Sequence, residues 1–182
     1  MFKFEHAVEY VLKHEGGLSE NPNDAGGITN FGISWRFLKS LSVATLKGYG
    51  IYVDDGVTQD DVRLLSIEQA KDIYLGEFWN HSAFEKIETQ DVCNYVFDMA
   101  VNMGINPSIK CAQRATWAVM RKREIIKDDG ILGPKSIQMI NQCGTVLLYS
   151  LRSERAGYYR IVAEKPEQDI FLMGWLNRAY GG

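Results

Sequence analysis

Glu15, Asp24 and Thr29 are the residues of this sequence whose types and spacing best suit acid–base chemistry. They belong to a segment rich in glycine and turn-forming residues, HEGGLSENPNDAGGITNFGI at 14–33. A carboxylic acid that keeps its proton near neutral pH can protonate the oxygen of a glycosidic bond. A second carboxylate and a hydroxyl group can hold the water that attacks the sugar. The segment therefore predicts a site that cleaves glycosidic bonds.

Glu15 stands at the predicted C-terminal end of the first helix, because apolar residues recur at helical spacing before it and two glycines follow it. The negative end of the helix dipole disfavours an ionised carboxylate, and partial burial acts in the same direction. We therefore expect Glu15 to hold its proton and to act as the general acid. Gly16 and Gly17 leave room for a bulky substrate, and we assign them, with Asn30, to substrate binding.

Asp24 and Thr29 lie nine and fourteen residues after Glu15. A loop that folds back over the helix end would bring both side chains near Glu15. Asp24 would then hold a water as the base, or stabilise a positively charged sugar in the transition state, and Thr29 would orient that water. A purely structural role for Asp24 stays open, because the neighbouring residues favour turns.

Asp98 and Asn102 are spaced four residues apart on an otherwise apolar helix, so they share one face. Their functional interpretation is that they line the floor of a substrate cleft and bind sugar amides. Their structural interpretation is a polar network between this helix and the 16–33 loop, since buried polar groups need partners. Four aromatic residues could stack on sugars, but their helical context favours the core: Phe31, Tyr74, Trp79 and Tyr95.

The remaining titratable residues do not indicate a metal or cofactor site. The three histidines show neither an HExxH motif nor a paired-ligand spacing. The three cysteines are widely spaced in apolar segments, so we expect Cys93, Cys111 and Cys143 to be free and buried. We predict no cofactor and no metal.

Hydrophobic periodicity predicts a mainly α protein with eight or nine helices. A single helix is expected from Ser34 to about residue 47, and a long apolar helix from Thr89 to Gly104. The predicted strand content is at most a small hairpin, in the 18–33 loop or near Gly50–Val53. We expect one unit over 1–182, in which 106–182 forms a helical part without a clear linker.

Composition limits the partners that this chain can have. It carries 20 basic and 23 acidic residues in 182, for a net charge of −3. A nucleic-acid binder usually has a basic excess, so nucleic acid is not expected as a partner. Neither a secretory signal nor a membrane-spanning run is recognisable. We expect a monomer that is made in the cytoplasm and does not insert stably into membranes.

The sequence resembles the glycoside hydrolase 108 family almost from end to end. That family comprises phage endolysins and N-acetylmuramidases once called secretion activator proteins. The resemblance rests on HEGG at 14–17, NPNDAGGITNFGIS at 21–34, IYLGEFW at 73–79, VFDMAVNMG at 96–104, DDGILGPKS at 128–136 and FLMGWLNR at 171–178. The spacing of Glu15, Asp24 and Thr29 is also similar to that of phage-type lysozymes, with a one-residue departure before the threonine. The DDGILGPKS turn is similar to one in small peptidoglycan-binding modules, so 106–182 resembles such a subdomain.

The resemblance implies a lysozyme-like α fold that cuts the glycan strands of peptidoglycan, with Glu15 as the catalytic acid. The leading hypothesis is hydrolysis of the β-1,4 bond between N-acetylmuramic acid and N-acetylglucosamine. Two alternatives stay open: a lytic transglycosylase that uses the same Glu15, and a non-catalytic peptidoglycan-binding module. A wall-cutting enzyme made in the cytoplasm would act in the periplasm or on the cell wall after release by a holin-like or phage-type system.

Overall fold

The computed structural model describes residues 2–20, 27–123 and 125–181. Asp24, predicted as the base, lies outside these residues. In the described part the chain forms ten α-helices: α1 (Phe2–Glu15), α2 (Trp35–Ser40), α3 (Val43–Gly48), α4 (Gln59–Arg63), α5 (Ile67–Glu77), α6 (Gln90–Met103), α7 (Ile105–Met120), α8 (Pro134–Cys143), α9 (Leu147–Ala163) and α10 (Leu172–Tyr180). Short 3₁₀ turns occupy Trp79–His81, Phe84–Lys86, Gly144–Val146 and Asp169–Phe171. The prediction of a mainly α fold is confirmed.

One small hairpin interrupts the helices. Strands β1 (Thr29–Asn30) and β2 (Ile33–Ser34) pair antiparallel, with Thr29 opposite Ser34. A further bridge joins Ser19 to Thr29 through two backbone hydrogen bonds of 2.8 and 2.9 Å. Residues just after α1 are therefore paired with the first strand of the hairpin, and the small hairpin predicted within the 18–33 loop is present.

The helix predicted as continuous from residue 34 to 47 is two helices. The first, α2, ends at Ser40, and Leu41 and Ser42 are extended. The Ser42 side chain accepts a hydrogen bond from the backbone N–H of Thr45 and so begins α3. A serine in this geometry is a strong N-cap, and its local hydrogen bond outweighs the continuous apolar pattern.

The helix α6 lies at the centre of the molecule and packs against α1, α7 and α9. Most of its side chains are buried, among them Val96, Phe97 and Met99. Burial of this many apolar groups is the main source of stability for a domain of this size. Free and buried cysteines are confirmed: all three thiols lie within this core, Cys93, Cys111 and Cys143.

The C-terminal helix α10 packs on α9 and closes one side of the molecule. Trp175 of α10 stacks on Tyr159 of α9 with ring centroids 5.4 Å apart. The Tyr95 hydroxyl of α6 donates a 2.5 Å hydrogen bond to the carbonyl of Ala179. These contacts set the position of the residue between them in sequence, Arg178.

Candidate active site

Glu15 is the last residue of α1, and Gly16 follows it with a φ of +67°. This left-handed conformation turns the chain away from the helix axis and is readily adopted only by glycine. The Glu15 side chain is 15% exposed, and its Oε1 lies 2.6 Å from Nη2 of Arg178. The carboxyl group is therefore partly accessible and paired with a cation from the opposite end of the chain.

The turn of the hairpin lies directly against this carboxyl group. Gly32 has a φ of +78°, and a Cβ atom placed there would lie 2.6 Å from both Glu15 Oε2 and the hydroxyl oxygen of Tyr74. The Tyr74 hydroxyl donates a 2.8 Å hydrogen bond to the carbonyl of Phe31. The hairpin therefore packs so closely against the Glu15 carboxyl group that position 32 has no room for a side chain.

Asn30 has a structural role in place of the predicted substrate contact. It is only 6% exposed, and its Nδ2 donates to the carbonyl of Val62 at 3.1 Å, with longer contacts to Arg63 and Leu65. These carbonyls lie at and just beyond the C-terminal end of α4, where helix carbonyls lack partners within the helix. Asn30 thus attaches the hairpin to α4.

Asp98 is also buried, at 1% exposure, so it does not line a cleft as the functional interpretation proposed. Its Oδ2 accepts a 2.7 Å hydrogen bond from Nη1 of Arg155, and its Oδ1 accepts one of 2.5 Å from Nη2 of Arg178. Nε of Arg178 lies 3.3 Å from Oδ2. Buried carboxylates need such partners, and here both come from the C-terminal helices α9 and α10.

Asn102 extends the same network toward solvent. Its side-chain carbonyl accepts a hydrogen bond from the Tyr159 hydroxyl, which in turn accepts one of 2.9 Å from Nε of Arg155. The residue itself is exposed. A substrate contact for Asn102 stays a prediction. The structural interpretation predicted a network with the 16–33 loop, whereas the hydrogen-bond partners of Asp98 and Asn102 in the described residues lie on α9 and α10.

The remaining predicted residues lie around the opening of the site. Gly16 and Gly17 are exposed, and Thr29 is half-buried at the start of β1. Substrate contact by the two glycines and water orientation by Thr29 stay predictions. The aromatic residues Tyr74, Trp79 and Tyr95 are core residues, as predicted. Phe31 packs partly buried in the hairpin turn, with a φ of +50°.

The electrostatics of the site favour charged arginines and neutral phenols. Burial by itself would lower the pKa of Arg178, but Asp98 and Glu15 outweigh it and hold that pKa above its usual value. Burial raises the pKa of Tyr74 well above its usual value, and the charge of Glu15 adds to the effect. Tyr74 therefore remains a neutral hydrogen-bond donor under any ordinary condition.

The described ranges contain no cluster of three or more His, Cys, Asp or Glu residues that could hold a metal ion. The two carboxyl groups of the site, Glu15 and Asp98, both pair with arginine. Within the same ranges, no helix has the combination of length and apolarity that crossing a bilayer requires.

Comparison with known proteins identifies the family. Residues 8–104, more than half of the chain, match the family model described as Glycosyl hydrolase 108. This protein belongs to the glycosyl hydrolase 108 family. Residues 108–180 match a second model, described as Predicted Peptidoglycan domain. The protein is thus a glycoside hydrolase, and its second matched segment indicates a role related to peptidoglycan.

A solved structure supports the fold of this glycosyl hydrolase. The chain is similar to Brucella abortus SagA with a TM-score of 0.71 and 24% sequence identity, over 97% of this chain and 89% of the other. At this identity the likeness shows the fold. A comparison with curated proteins gave no match.

The site of this glycosyl hydrolase draws on both matched segments. Glu15, Gly32, Tyr74 and Asp98 lie in the first, whereas Arg178 lies in the second. Sequence reasoning assigned no role to Gly32 or Arg178, although both lie in blocks that carry the family resemblance. A lone arginine in a C-terminal helix has no local signal that points to a carboxylate 163 residues away.

Proposed function

We propose that this glycoside hydrolase is an N-acetylmuramidase that hydrolyses the β-1,4 bond between N-acetylmuramic acid and N-acetylglucosamine in peptidoglycan. The observation that supports it most is the Glu15 carboxyl group, which is partly exposed at the end of α1 and confined between the Gly32 turn and Arg178. General-acid catalysis requires a carboxyl group held in one orientation at an accessible surface.

In the proposed reaction, Glu15 gives its proton to the glycosidic oxygen as the bond from that oxygen to the anomeric carbon breaks. The oxygen of a water molecule bonds to the anomeric carbon, and the proton that this water loses passes to a base. Glu15 is left as a carboxylate and regains a proton from solvent before the next turnover. The products are two shorter glycan strands, one with a reducing N-acetylmuramic acid end.

Asp24 is the proposed base, and Thr29 is proposed to orient the water. The support is sequence spacing together with the backbone pairing of Ser19 and Thr29, which brings together described residues that precede and follow Asp24 in the chain. An inverting enzyme places its two carboxyl groups roughly 6.5–9.5 Å apart to leave room for water. We therefore propose a separation in this range when substrate is bound.

The site of action is proposed to be the periplasm or the cell wall, reached through a holin-like or phage-type release system. The second matched segment supports a role for the C-terminal half in binding glycan strands. The enzyme is proposed to act as a monomer, without a nucleic-acid partner.

The deciding experiment is mass spectrometry of the products from purified peptidoglycan. The Glu15→Gln variant keeps the shape of the side chain but cannot act as an acid, so its activity should fall by at least roughly 100-fold. Its fold should persist, because Arg178 retains Asp98 as a partner. Glu9→Gln, an exposed change on the same helix, serves as the control with normal activity.

The products distinguish the proposal from its alternatives. Reducing N-acetylmuramic acid ends support hydrolysis. Ends of the 1,6-anhydro type indicate that the 6-hydroxyl of the sugar replaced water, as in a lytic transglycosylase. If the wild-type protein leaves peptidoglycan intact, the non-catalytic binding module is the hypothesis that remains. Near-normal cleavage by Glu15→Gln would contradict the role of Glu15 as the acid.

Asp24→Asn tests the proposed base. The amide cannot take a proton from water, so hydrolysis should slow by about 100-fold or more, while wall fragments should bind with nearly unchanged affinity. Asp55→Asn, in an exposed loop, provides the matched control. Full activity of Asp24→Asn would show that another group, or none, activates the water.

A further inference from the structure

We propose that Arg178 is a positioning residue for Glu15, supplied by the C-terminal helix α10 and anchored on Asp98. It fixes the orientation of the Glu15 carboxyl group and stabilises the negative charge left when the proton is given up. The proposal rests on the proposed function of Glu15 as general acid. It makes the segment matched to a peptidoglycan domain part of the catalytic site.

The Arg178 guanidinium contacts both carboxyl groups of the site. The same nitrogen, Nη2, lies 2.6 Å from Glu15 Oε1 and 2.5 Å from Asp98 Oδ1. An Nη2 group carries two hydrogens, one for each carboxylate. Nε lies within 3.3 Å of the second Asp98 oxygen, so two nitrogens of the guanidinium contact Asp98 and one of them also contacts Glu15.

Arg178 itself has little conformational freedom. Its side chain is 13% exposed, and the backbone on either side is docked. Trp175 stacks on Tyr159, while Tyr95 donates to the carbonyl of Ala179. Guanidinium groups are planar. Because Nε and Nη2 of Arg178 are both held at Asp98, the second hydrogen of Nη2 points in a defined direction.

The charges around Glu15 balance only after it has given up its proton. Asp98 is shared between Arg155 and Arg178, so the ionised Glu15 would be the second carboxylate facing two guanidinium groups, and the formal charges would then cancel. The titratable and charged groups in this region come from five helices: Tyr10 and His14 on α1, Tyr74 on α5, Tyr95 and Asp98 on α6, Arg152, Arg155 and Tyr159 on α9, and Arg178 on α10. Of these, Arg178 is the cation in direct contact with Glu15.

The two oxygens of the Glu15 carboxyl group have different surroundings and, in this proposal, different roles. Oε1 accepts the hydrogen bond from Arg178, which leaves Oε2, beside the Gly32 turn, to carry the transferable proton. When that proton moves to the glycosidic oxygen, a full negative charge develops on a carboxylate that is already paired with Arg178. Charge that forms next to a fixed cation is stabilised without reorganisation of the site.

Arg178→Gln removes the charge and Arg178→Lys keeps it without the planar geometry. Because the glutamine variant no longer holds the Glu15 carboxyl group in one orientation, kcat should fall at least about tenfold with a smaller change in KM. Arg178→Lys should recover part of kcat, since it restores the charge next to Glu15. Arg160→Gln, an exposed change on α9, should alter neither.

A second readout does not depend on activity. The carboxyl ¹³C signal of Glu15, identified by its absence in Glu15→Gln, should change its chemical shift in Arg178→Gln at a fixed pH, because the cation in contact with the carboxyl group is gone. An unchanged Glu15 signal, with a fall in kcat no larger than the loss of folded protein, would overturn the positioning role. Wild-type protein that leaves peptidoglycan intact would overturn the proposed function, whatever the Glu15 signal shows, and with it the catalytic part of this inference.

Discussion

Gly32 is the residue at which the geometry of the site leaves the least space. The Glu15 and Tyr74 oxygens both lie where its Cβ atom would be, and its φ is positive. Two independent reasons therefore require glycine: steric exclusion by neighbours and a backbone conformation that L-residues rarely adopt. Steric and backbone requirements therefore coincide at this position.

Gly32→Ala should cost about 2 kcal/mol or more in the free energy of unfolding, because strain and overpacking act together. It should also lower activity at least about tenfold, because either the hairpin or Glu15 must shift. Denaturant titration and peptidoglycan cleavage measure the two effects. Gly157→Ala is the control, since this helical glycine has no neighbour within 4 Å of an added Cβ and should become slightly more stable. Unchanged stability and activity of Gly32→Ala would show that the hairpin turn can shift to accommodate a Cβ atom at little cost.

At the scale of elements, the β1–β2 hairpin depends on a helix end for its position. It has only two residues in each strand, which is too short for independent stability. The side chain of Asn30 supplies the missing support by donating to carbonyls at the end of α4. Both partners benefit, because the same bonds satisfy helix carbonyls that lack partners within the helix.

Asn30→Ala should lower the free energy of unfolding by about 1 kcal/mol, because the carbonyls at the end of α4 lose their side-chain donor, although that of Val62 keeps the Leu65 N–H. Amide hydrogen exchange should accelerate at Thr29 and Ile33 more than in α6, since the hairpin loses its attachment to α4. The exposed Asn80→Ala variant is the matched control for both measurements. Exchange that accelerates equally throughout the chain would argue for a global loss of stability without a local role.

Over the whole molecule, buried phenols and arginines join the N-terminal and C-terminal helices. Arg155 lies over the rings of Tyr95 and Tyr159, with distances of 5.2 and 5.5 Å to their centroids. Tyr95 in turn binds the backbone of α10 through Ala179. This arrangement couples the position of α10, and therefore of Arg178, to the core helix α6.

The buried phenols predict a loss of stability at alkaline pH. Burial raises the pKa of Tyr95 to about 12, despite the opposing effect of Arg155, from an ordinary value of 10.0. The unfolded chain therefore releases this proton first, and its contribution to stability, full below about pH 10, is lost as the pH rises toward 12. Tyr95→Phe should be less stable at pH 7, because it lacks the bond to Ala179, but its stability should decline less steeply above pH 10.

The measurement is denaturant unfolding between pH 7 and pH 11.5. Tyr149→Phe, which changes a phenol that is 73% exposed, should follow the wild-type curve. Parallel curves for wild-type protein and Tyr95→Phe would contradict the assignment of the alkaline loss to this residue.

The sequence by itself was sufficient for the mainly α fold, the glycine-rich loop, the small hairpin, the position of Glu15 at a helix end and the buried cysteines. These features depend on local patterns: apolar spacing, capping residues and glycine pairs. The sequence blocks, such as HEGG, were likewise sufficient to recognise the family resemblance. The split between α2 and α3 was missed because Ser42 begins a helix through a single local hydrogen bond.

Only the tertiary structure decided which polar residues meet. Asp98 and Asn30 have the residue types of substrate ligands, but burial and their hydrogen bonds to Arg178, Arg155 and the end of α4 give them structural roles. The pairing of Glu15 with Arg178 joins residues 163 positions apart. Such a contact is set by how α10 packs on α9 and α6, and no local pattern in either segment encodes the distance between two side chains on different helices.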